Sequence, residues 1–272
     1  MLLNDLMPAL RCEFILHRFD AEVQERPDCL VVRTPANPLY YWGNFLMLPQ
    51  TPDDADLPHW LHRYQAEVAH AVPGVQHACF GFNSTPPPAE ALPAWRAAGF
   101  ERQDAQVLRL QRGELLAPPA PRGQVVVRPI DWDRELDATL ALQCSDSQGH
   151  EPQGWRRFRQ AQMQRYAAMQ QAGQAEWFGA WCDGTLAADC GLLRDGPDGR
   201  FQTVFTHPAW RRRGLCRALV HGVSQWAFDA GLQTLWMMAD PNEVAIHLYR
   251  ALGYADQAGS WGLMRRPAGD HA

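Results

Sequence analysis

Hydrophobic and polar positions between residues 200 and 254 follow one order of elements. Residues 200–206 predict a strand, and apolar residues then recur every three or four positions over residues 215–230, which predicts a helix. Residues 232–239 are a short apolar run and predict a buried strand. A second apolar stripe ends at Gly253, a residue type that commonly closes helices. The pattern therefore predicts strand, loop, helix, strand and helix in succession.

The start of the last helix carries its own signals. Asp240 is a typical N-cap residue, Pro241 suits the first helical position, and Glu243 completes a capping box. We therefore expect this helix to begin directly after the strand of residues 232–239.

Residues 124–199 predict the preceding elements. Asp183 and Gly184 between two apolar runs are a strong hairpin signal, and residues 195–199 predict a second turn. Residues 144–154 predict a polar loop that leads into a long helix. The predicted strands are 124–129, 176–181 and 186–193, and the predicted helices are 134–143 and 155–171.

The loop after residues 200–206 has the chemistry of a phosphate site. The first turns of a helix leave N–H groups unpaired and carry the positive end of the helix dipole, which favours a diphosphate. Gly214 lets the backbone approach a ligand closely, and the arginines of residues 211–213 add charge that pairs with phosphate oxygens. A solvated basic turn is the simpler alternative for this charge run.

These segments together resemble the GNAT superfamily of acyl-CoA-dependent N-acyltransferases. The pyrophosphate motif of that family, R/Q-x-x-G-x-G/A, matches residues 211–216, with Cys216 where the family prefers Gly or Ala. The element N-x-x-A-x-x-x-Y-x-x-x-G-[FY] is complete at residues 242–254. The resemblance implies the α+β class (an α/β three-layer fold), with a mixed, mostly antiparallel central sheet flanked by helices. It also implies that the strands of residues 200–206 and 232–239 splay apart at their ends.

The resemblance further implies a ligand and the residues that hold it. Acetyl-CoA, or another acyl-CoA, is the implied co-substrate, and its pantetheine arm would lie between the splayed strands. The implied acceptor is an amine of a small molecule, an amino acid or a peptide. The loop and helix of residues 144–171 should border its cleft. For Asn242, helix capping explains the residue as well as a pantetheine contact does. The implied coenzyme-binding residues are Val204, Phe205, Thr206, Arg211, Arg212, Arg213, Gly214, Leu215, Cys216, Arg217, Asn242, Ala245 and Tyr249.

The chemistry requires a neutral amine, a stabilised oxyanion and a leaving thiolate. The resemblance assigns Tyr249 to hydrogen-bond or protonate the leaving sulfur. Full proton transfer is uphill by about 2 kcal/mol, because a free tyrosine has a pKa of about 10 and a thiol one of about 8.5. Glu151 is our first choice for the base that deprotonates the amine. His150, Asp189 and Asp146 are the alternatives.

A segment rich in Pro and Gly, residues 111–123, predicts an extended connection that divides the chain. We predict a first domain at residues 1–116, a linker at residues 117–123 and an N-acetyltransferase domain at residues 124–272.

The first domain resembles a copy of the second that has lost its chemistry. The sequence around Trp95 aligns with the sequence around Tyr249, and both halves can hold the same series of elements. A strand predicted at residues 40–48 leads into a turn with three aspartates at residues 53–56, where the second copy has arginines. Aspartates cap helices but repel a diphosphate. We therefore predict a degenerate GNAT-like domain that supports the second one.

Composition narrows the classes of protein and of binding partner that the sequence allows. The chain has 272 residues, which suits one or two domains, and its net charge of −5 argues against nucleic acid as a partner. Its 7 cysteines form no C-x-x-C motif, which indicates free thiols in a reducing cytoplasm. No cluster has metal-ligand spacing, and no stretch approaches a membrane span. We therefore expect a cytoplasmic enzyme with no metal and no membrane partner, either a monomer that is an internal pseudo-dimer or a homodimer.

Two other functional classes are consistent with the same residues. The chain could be a non-catalytic acyl-CoA-binding or sensing protein that keeps the fold. It could instead be a nucleotide-dependent enzyme whose arginine loop binds ATP, although the Walker motif G-x-x-x-x-G-K-[ST] and the G-x-G-x-x-G motif are both absent from that loop.

Overall fold

Two compact units make up the protein in the computed structural model, which describes residues 1–88, 90–147 and 149–267. Unit 1 contains residues 1–106 and the chain from residue 258 onward, and unit 2 contains residues 107–257.

The boundaries of these units differ from the predicted domain limits at residues 116 and 123. The end of the last strand belongs to unit 1, and the Pro- and Gly-rich segment belongs to unit 2. Gln148 of the predicted acceptor loop and residues 268–272 of the predicted second domain lie outside the described residues.

Unit 1 begins with two short helices and continues as strands and helices in mixed order. Its elements are α1 (Pro8–Arg11), α2 (Phe14–Asp20), β1 (Glu22–Glu25), β2 (Leu30–Arg33), β3 (Phe45–Leu48), α3 (Leu57–Tyr64), β4 (Ala78–Phe82), α4 (Pro93–Ala97) and the first residues of β5 (Glu101–Gln111).

Unit 2 continues from β5 and contains the longer elements. They are β6 (Val125–Pro129), α5 (Trp132–Gln143), α6 (Pro152–Gln171), β7 (Ala175–Cys182), β8 (Thr185–Asp195), β9 (Asp198–Thr206), α7 (Leu215–Asp229), β10 (Thr234–Ala239), α8 (Ala245–Ala251) and the first residues of β11 (Ala255–Arg265). None of the helices within the described ranges is both long and apolar enough to cross a lipid bilayer.

The sheet of unit 1 has the strand order β1-β2-β3-β4-β11. Its pairs are antiparallel except β3 and β4, which are parallel. The parallel ladder runs to the end of β3, where Leu48 lies opposite Phe82, and the N–H of Asn83 then donates to the carbonyl of Leu48 at 2.8 Å. This pair of strands is therefore closed along its whole length.

The predicted strand at residues 40–48 is correct only in its second half. Residues Tyr41–Gly43 form a 3₁₀ turn, and β3 begins at Phe45. The buried side chain of Asn44 accepts from the N–H of Thr34 at 2.9 Å and donates to the carbonyls of Asn37 and Tyr40 at 3.1 and 3.0 Å. These hydrogen bonds hold the backbone in a turn that its apolar sequence does not reveal.

The sheet of unit 2 has the order β5-β10-β9-β8-β7-β6. Strands β6 to β9 are antiparallel neighbours, and β9 and β10 are parallel. The fold therefore agrees with the predicted mixed, mostly antiparallel sheet flanked by helices. Both predicted turns are present, and Asp183 and Gly184 adopt positive φ angles of 52° and 79° in the hairpin between β7 and β8.

The parallel pair of unit 2 is open at one end. Its register joins Thr234–Trp236 of β10 to Asp198–Arg200 of β9, and in the part of the chain that the structure describes the ladder stops there. Residues 201–206 of β9 and residues 237–239 of β10 are not paired with each other, which is the pattern that the predicted splay requires. Helix α7 and the apolar side chains of β8 to β10 form the buried core beside this opening.

Helix α8 begins later than the capping pattern predicts. Its N-cap residue is Val244, and Asp240 instead accepts the N–H of Asn242 on its side chain at 2.8 Å. The N–H of Glu243 donates to the carbonyl of Asp240 at 3.1 Å. Because this local turn uses the Asp240 carboxylate, the predicted capping box is wrong.

The Pro- and Gly-rich segment after β5 is extended and is held against unit 2. Backbone N–H groups of Arg112, Leu116 and Arg122 donate to the carbonyls of Gln233, Leu252 and Arg213 at 2.9, 3.0 and 3.1 Å. The segment therefore passes along α8 and ends beside the loop that precedes α7.

Substitution of Gly253 would test the packing of the extended segment against α8. Its φ is +100°, and a Cβ atom there would lie 2.3 Å from the carbonyl oxygen of Glu114. Gly231 has a similar φ of +96° and nothing within 4 Å. We expect Gly231→Ala to lower the free energy of unfolding by about 1 kcal/mol, the cost of a positive φ. Gly253→Ala should lose about 2 kcal/mol more because of the clash.

Urea denaturation of both variants would measure this difference. Equal losses for the two glycines would show that the segment does not pack against α8 in solution.

Candidate active site

The loop after β9 places a helix N-terminus at an open position. A 3₁₀ turn at Pro208–Trp210 leads to Arg211, and α7 then starts at Leu215 with Gly214 as its N-cap residue. Gly214 has a φ of +84°, and a Cβ atom there would lie 3.3 Å from the backbone of Pro121. Glycine is therefore required both by the left-handed conformation and by the close approach of the Pro121 segment.

The three arginines of this loop are exposed. Arg211 donates through Nε to the carbonyl of Thr206 at 3.3 Å and forms an ion pair with Asp146 at 2.9 Å. The guanidinium of Arg213 lies 4.6 Å from the centre of the Trp210 ring. The loop therefore combines the first N–H groups of α7 with nearby positive charge, which together suit a diphosphate.

The end of β9 offers a free backbone edge next to this loop. Phe205 and Thr206 pair with Asp189 and Ala188 of β8 on one side. The other side faces the opening left by β10. Thr203 has a φ of +47° and lies at a bulge in the ladder between β8 and β9. A bulge bends and twists a strand, so it redirects the backbone groups of the residues that follow.

Tyr249 on α8 is directed at the start of α7. Only 5 % of its surface is exposed, and its hydroxyl forms a hydrogen bond with the Cys216 thiol. Burial, with the nearby thiols Cys216 and Cys190, raises the pKa of Tyr249 well above 10.0. Burial likewise raises the pKa of Cys216 to about 11. The tyrosine therefore keeps its proton at neutral pH and presents it to a sulfur atom.

Tyr254 is also buried, but its hydroxyl lies against the second half of α7. Its hydroxyl hydrogen-bonds to the Ser224 hydroxyl at 2.9 Å, and Ser224 donates to the carbonyl of Val220 at 2.7 Å. The Tyr254 hydroxyl is therefore linked to the backbone of α7 through Ser224. Tyr254 is a suitable control for the role of the Tyr249 hydroxyl.

The other predicted coenzyme residues occupy several positions around the loop. Leu215 is buried in the core, and Arg217 lies in the first turn of α7. Ala245 begins α8 and packs against the same core. Asn242 is exposed in the turn that precedes α8. Val204 to Cys216 thus surround the opening of the sheet, and Asn242 lies on the connection that follows β10.

The four candidate bases lie in contrasting surroundings. Glu151 is the N-cap residue of α6, and its carboxylate accepts the N–H groups of Gln153 and Gly154 at 2.8 and 2.7 Å. Asp146 forms the ion pair with Arg211, and the His150 ring stacks on Trp155 at 4.9 Å. Only Asp189 of the four is fully buried.

Asp189 is held by two side-chain donors. Gln143 donates through Nε2 at 2.6 Å to one oxygen, and Trp177 donates through Nε1 at 2.9 Å to the other. Burial raises the pKa of Asp189 to about 7, while these hydrogen bonds and the charge of Arg159 oppose the rise. The sequence did not single out Gln143 or Trp177, because a helix-end glutamine and a core tryptophan have no distinctive local pattern.

The corresponding region of unit 1 lacks this arrangement. The acidic turn precedes α3, where Asp54 accepts the N–H of Ala94 at 3.1 Å. Trp95 is fully buried and donates through Nε1 to the carbonyl of Asp53 at 3.3 Å. The pairing of β3 with β4 continues to the end of β3, so the described residues leave no gap between these two strands. Across the described ranges of both units, no group of 3 or more His, Cys, Asp or Glu side chains has the arrangement of a metal site.

Solved structures with the same fold cover most of the chain. A conserved protein of unknown function from Staphylococcus epidermidis has a TM-score of 0.74 at 13 % identity, covering 91 % of this chain and 95 % of that one. A GCN5-related N-acetyltransferase from Kribbella flavida has a TM-score of 0.67 at 16 % identity, covering 97 % of each chain. A GCN5-related N-acetyltransferase from Sphaerobacter thermophilus has a TM-score of 0.58 at 18 % identity, covering 90 % and 82 %.

Sequence comparison matches a shorter part of the chain. No protein with a curated description matches the chain. The model of the acetyltransferase (GNAT) family matches residues 139–254, which contain α6 to α8 and the whole loop before α7. With the open strand pair and the helix N-terminus described above, residues 139–254 are a domain of the acetyltransferase (GNAT) family.

Proposed function

We propose that unit 2 transfers an acetyl group from acetyl-CoA to a primary amine of a small molecule, an amino acid or a peptide, by direct attack within a ternary complex. The observation that carries this proposal is the early end of the β9–β10 ladder, which leaves residues 201–206 unpaired on that side before the loop of residues 211–214. Membership of the acetyltransferase family supports the reaction class.

The coenzyme would bind along this opening. The diphosphate would accept hydrogen bonds from the first N–H groups of α7 and from the arginines of the loop. The pantetheine amides would pair with the free backbone edge of residues 204–206 in the manner of an added strand. This placement would bring the thioester beside the bulge at Thr203 and the hydroxyl of Tyr249.

Catalysis would then follow from thioester chemistry. The amine nitrogen attacks the carbonyl carbon, the carbon–sulfur bond breaks, and the sulfur leaves as a thiolate. Tyr249 would hydrogen-bond to that sulfur as negative charge develops on it. Its hydroxyl already contacts the sulfur of Cys216, so its orientation towards the start of α7 supports the role.

Glu151 remains our proposed proton acceptor for the amine. Its carboxylate also caps α6 by accepting two backbone N–H groups. A water molecule between the amine and the carboxylate would allow both roles.

We further propose that unit 1 is a degenerate copy that binds no acyl-CoA. Its closed parallel pair and its acidic turn support this, because a diphosphate there would meet aspartates instead of arginines. The whole chain should therefore bind one coenzyme.

Replacement of Gly214 tests the coenzyme site. Saturating acetyl-CoA at about 100 times its Kd should stabilise the wild-type protein by about 2.7 kcal/mol and raise its thermal midpoint. Gly214→Asp should abolish this shift, because the carboxylate would enter the diphosphate position. Gly231→Asp is the matched control, since it places the same residue at a positive φ at the opposite end of α7.

Calorimetric titration with acetyl-CoA would count the coenzyme sites in each chain. Wild type and Asp53→Arg should both bind one acetyl-CoA per chain. A midpoint that acetyl-CoA does not raise in the wild type, or a second site in Asp53→Arg, would contradict the proposal.

Tyr249→Phe tests the leaving-group role. We expect kcat to fall by about 100-fold, in the range of a lost acid catalyst, with the KM for acetyl-CoA nearly unchanged. Tyr254→Phe removes a hydroxyl that bonds only within the helix region and should leave kcat within about twofold. Steady-state rates with the best amine of a screen would measure both. Tight acetyl-CoA binding without turnover on any amine would instead favour a non-catalytic binding protein.

Glu151→Gln separates capping from proton transfer. The amide oxygen can still accept a backbone N–H, so the free energy of unfolding should fall by about 1 kcal/mol at most. If Glu151 accepts the proton, kcat at neutral pH should fall by about 100-fold. A rate close to that of the wild type would leave Glu151 with the capping role alone.

A further inference from the structure

Two large apolar side chains of β10, Trp236 and Met238, are partly exposed. Strand β10 is an interior strand of the sheet, with β5 on one side and β9 on the other. On the face opposite to α7, helix α6 packs chiefly against β7 and helix α5 chiefly against β8. The helix cover on this face is therefore concentrated on β7 and β8, and the side chains of β10 keep a surface that a ligand can contact.

Alternation along β10 determines the face to which these side chains belong. Leu235 and Met237 lie in the core beneath α7. Because successive side chains of a strand point to opposite faces, Trp236 and Met238 point away from α7. The register agrees, since Trp236 lies opposite Arg200 of β9, a residue that is not part of that core.

The polar side chains of β9 on the same face hydrogen-bond with groups of the protein. Nε2 of Gln202 donates to the hydroxyl of Tyr166 on α6 at 2.8 Å, and Arg200 donates to Oε1 of Gln202. Both ends of the Gln202 amide are thus used within unit 2. The surface that a ligand would meet on β10 is therefore the apolar surface of Trp236 and Met238.

This apolar surface begins where the two parallel strands cease to pair. Trp236 and Arg200 form the last pair of the ladder, and Met238 follows in the unpaired part of β10. The unpaired part of β9 leads to residues 204–206, along which the pantetheine would lie. Trp236 and Met238 are therefore next to the position where the proposed function places the thioester.

An acceptor amine can reach that position from one face of the sheet. On the α7 side, Leu235 and Met237 are at most 1 % exposed, and the hydroxyl of Tyr249 would contact the leaving sulfur. The amine would therefore approach over the other face. The group attached to its nitrogen would then rest on Trp236 and Met238.

We propose that Trp236 selects the acceptor, and that the acceptor is a primary amine with an aromatic or large apolar group close to its nitrogen. The indole ring would contact the face of that group, with the flexible side chain of Met238 beside it. This inference rests on the proposed acyltransferase function and deepens it, because it names the class of amine.

Two acceptors that differ only in a phenyl group test the proposal in the wild-type protein. We expect kcat/KM for 2-phenylethylamine to exceed that for ethylamine by about 100-fold, the effect of burying an aromatic ring. This ratio tests the inference even if a variant at Trp236 does not fold.

Variants of Trp236 assign the selectivity to its ring. Trp236→Ala should lower the ratio of the two kcat/KM values by about 30-fold and leave the KM for acetyl-CoA unchanged. Trp236→Phe keeps an aromatic ring and should retain the ratio within about threefold.

Trp226 provides the matched control. It is also partly exposed, but it lies on α7 and packs against Phe178 with the ring centres 4.9 Å apart. Trp226→Ala should therefore leave the ratio within about twofold, whatever its effect on stability.

Binding can be measured without turnover, because CoA has no acyl group to transfer. With saturating CoA, 2-phenylethylamine should raise the thermal midpoint of the wild type and of Trp226→Ala more than ethylamine does at the same concentration. Trp236→Ala should respond equally to the two amines.

The results distinguish failure of this inference from failure of the proposed function. A thermal midpoint that acetyl-CoA does not raise overturns the proposed function. Transfer to both amines with equal kcat/KM overturns this inference alone, as does a ratio that Trp236→Ala leaves unchanged or that Trp226→Ala lowers as much. Binding of acetyl-CoA without reaction of any primary amine overturns both.

Discussion

The separation of two parallel strands is the constraint on which the rest of unit 2 depends. Backbone N–H and C=O groups in a sheet interior are normally paired, and an unpaired edge within a sheet is unfavourable unless a ligand or water satisfies it. Strands β9 and β10 share three residue pairs and then part, and the bulge at Thr203 bends β9 just beyond the last pair. The equivalent strands of unit 1 remain paired to their ends. Among the described residues, the ladder between β9 and β10 therefore ends early, whereas the ladder between β3 and β4 continues to the end of β3.

Unit 2 also contains a buried polar group on the face of its sheet that lies opposite to α7. Asp189, Gln143 and Trp177 form a fully buried hydrogen-bonded group, and burial of an ionised carboxylate is unfavourable even when it is paired. The core on the other face of the sheet, which packs against α7, is largely aliphatic and aromatic. Proteins commonly accept such local departures from optimal packing where function requires a polar group.

The sequence predicted the parts of the site that depend on local rules. The periodicity of α7, the glycine that precedes it and the arginine run are all properties of neighbouring residues, so they could be predicted without a structure. The start of α8 was misplaced because Asp240 satisfies a turn as well as it would cap a helix. The partners of Asp189 were not foreseen at all, since residues 143 and 177 approach residue 189 only through tertiary packing. The pairing of the end of β11 with β4 likewise depends on residues that are distant in sequence, which no local pattern records.

The extended segment after β5 limits the insertions and deletions that the sequence can tolerate. Pro-rich connections are usually the positions where insertions, cleavage and sequence drift are best tolerated. Here the backbone of Pro121 lies against Gly214, and Arg122 donates to the carbonyl of Arg213 in the loop before α7. A protease site or an added residue near Pro121 would therefore disturb the wall of the ligand opening, so this connection should be as restricted in length as an element of the sheet.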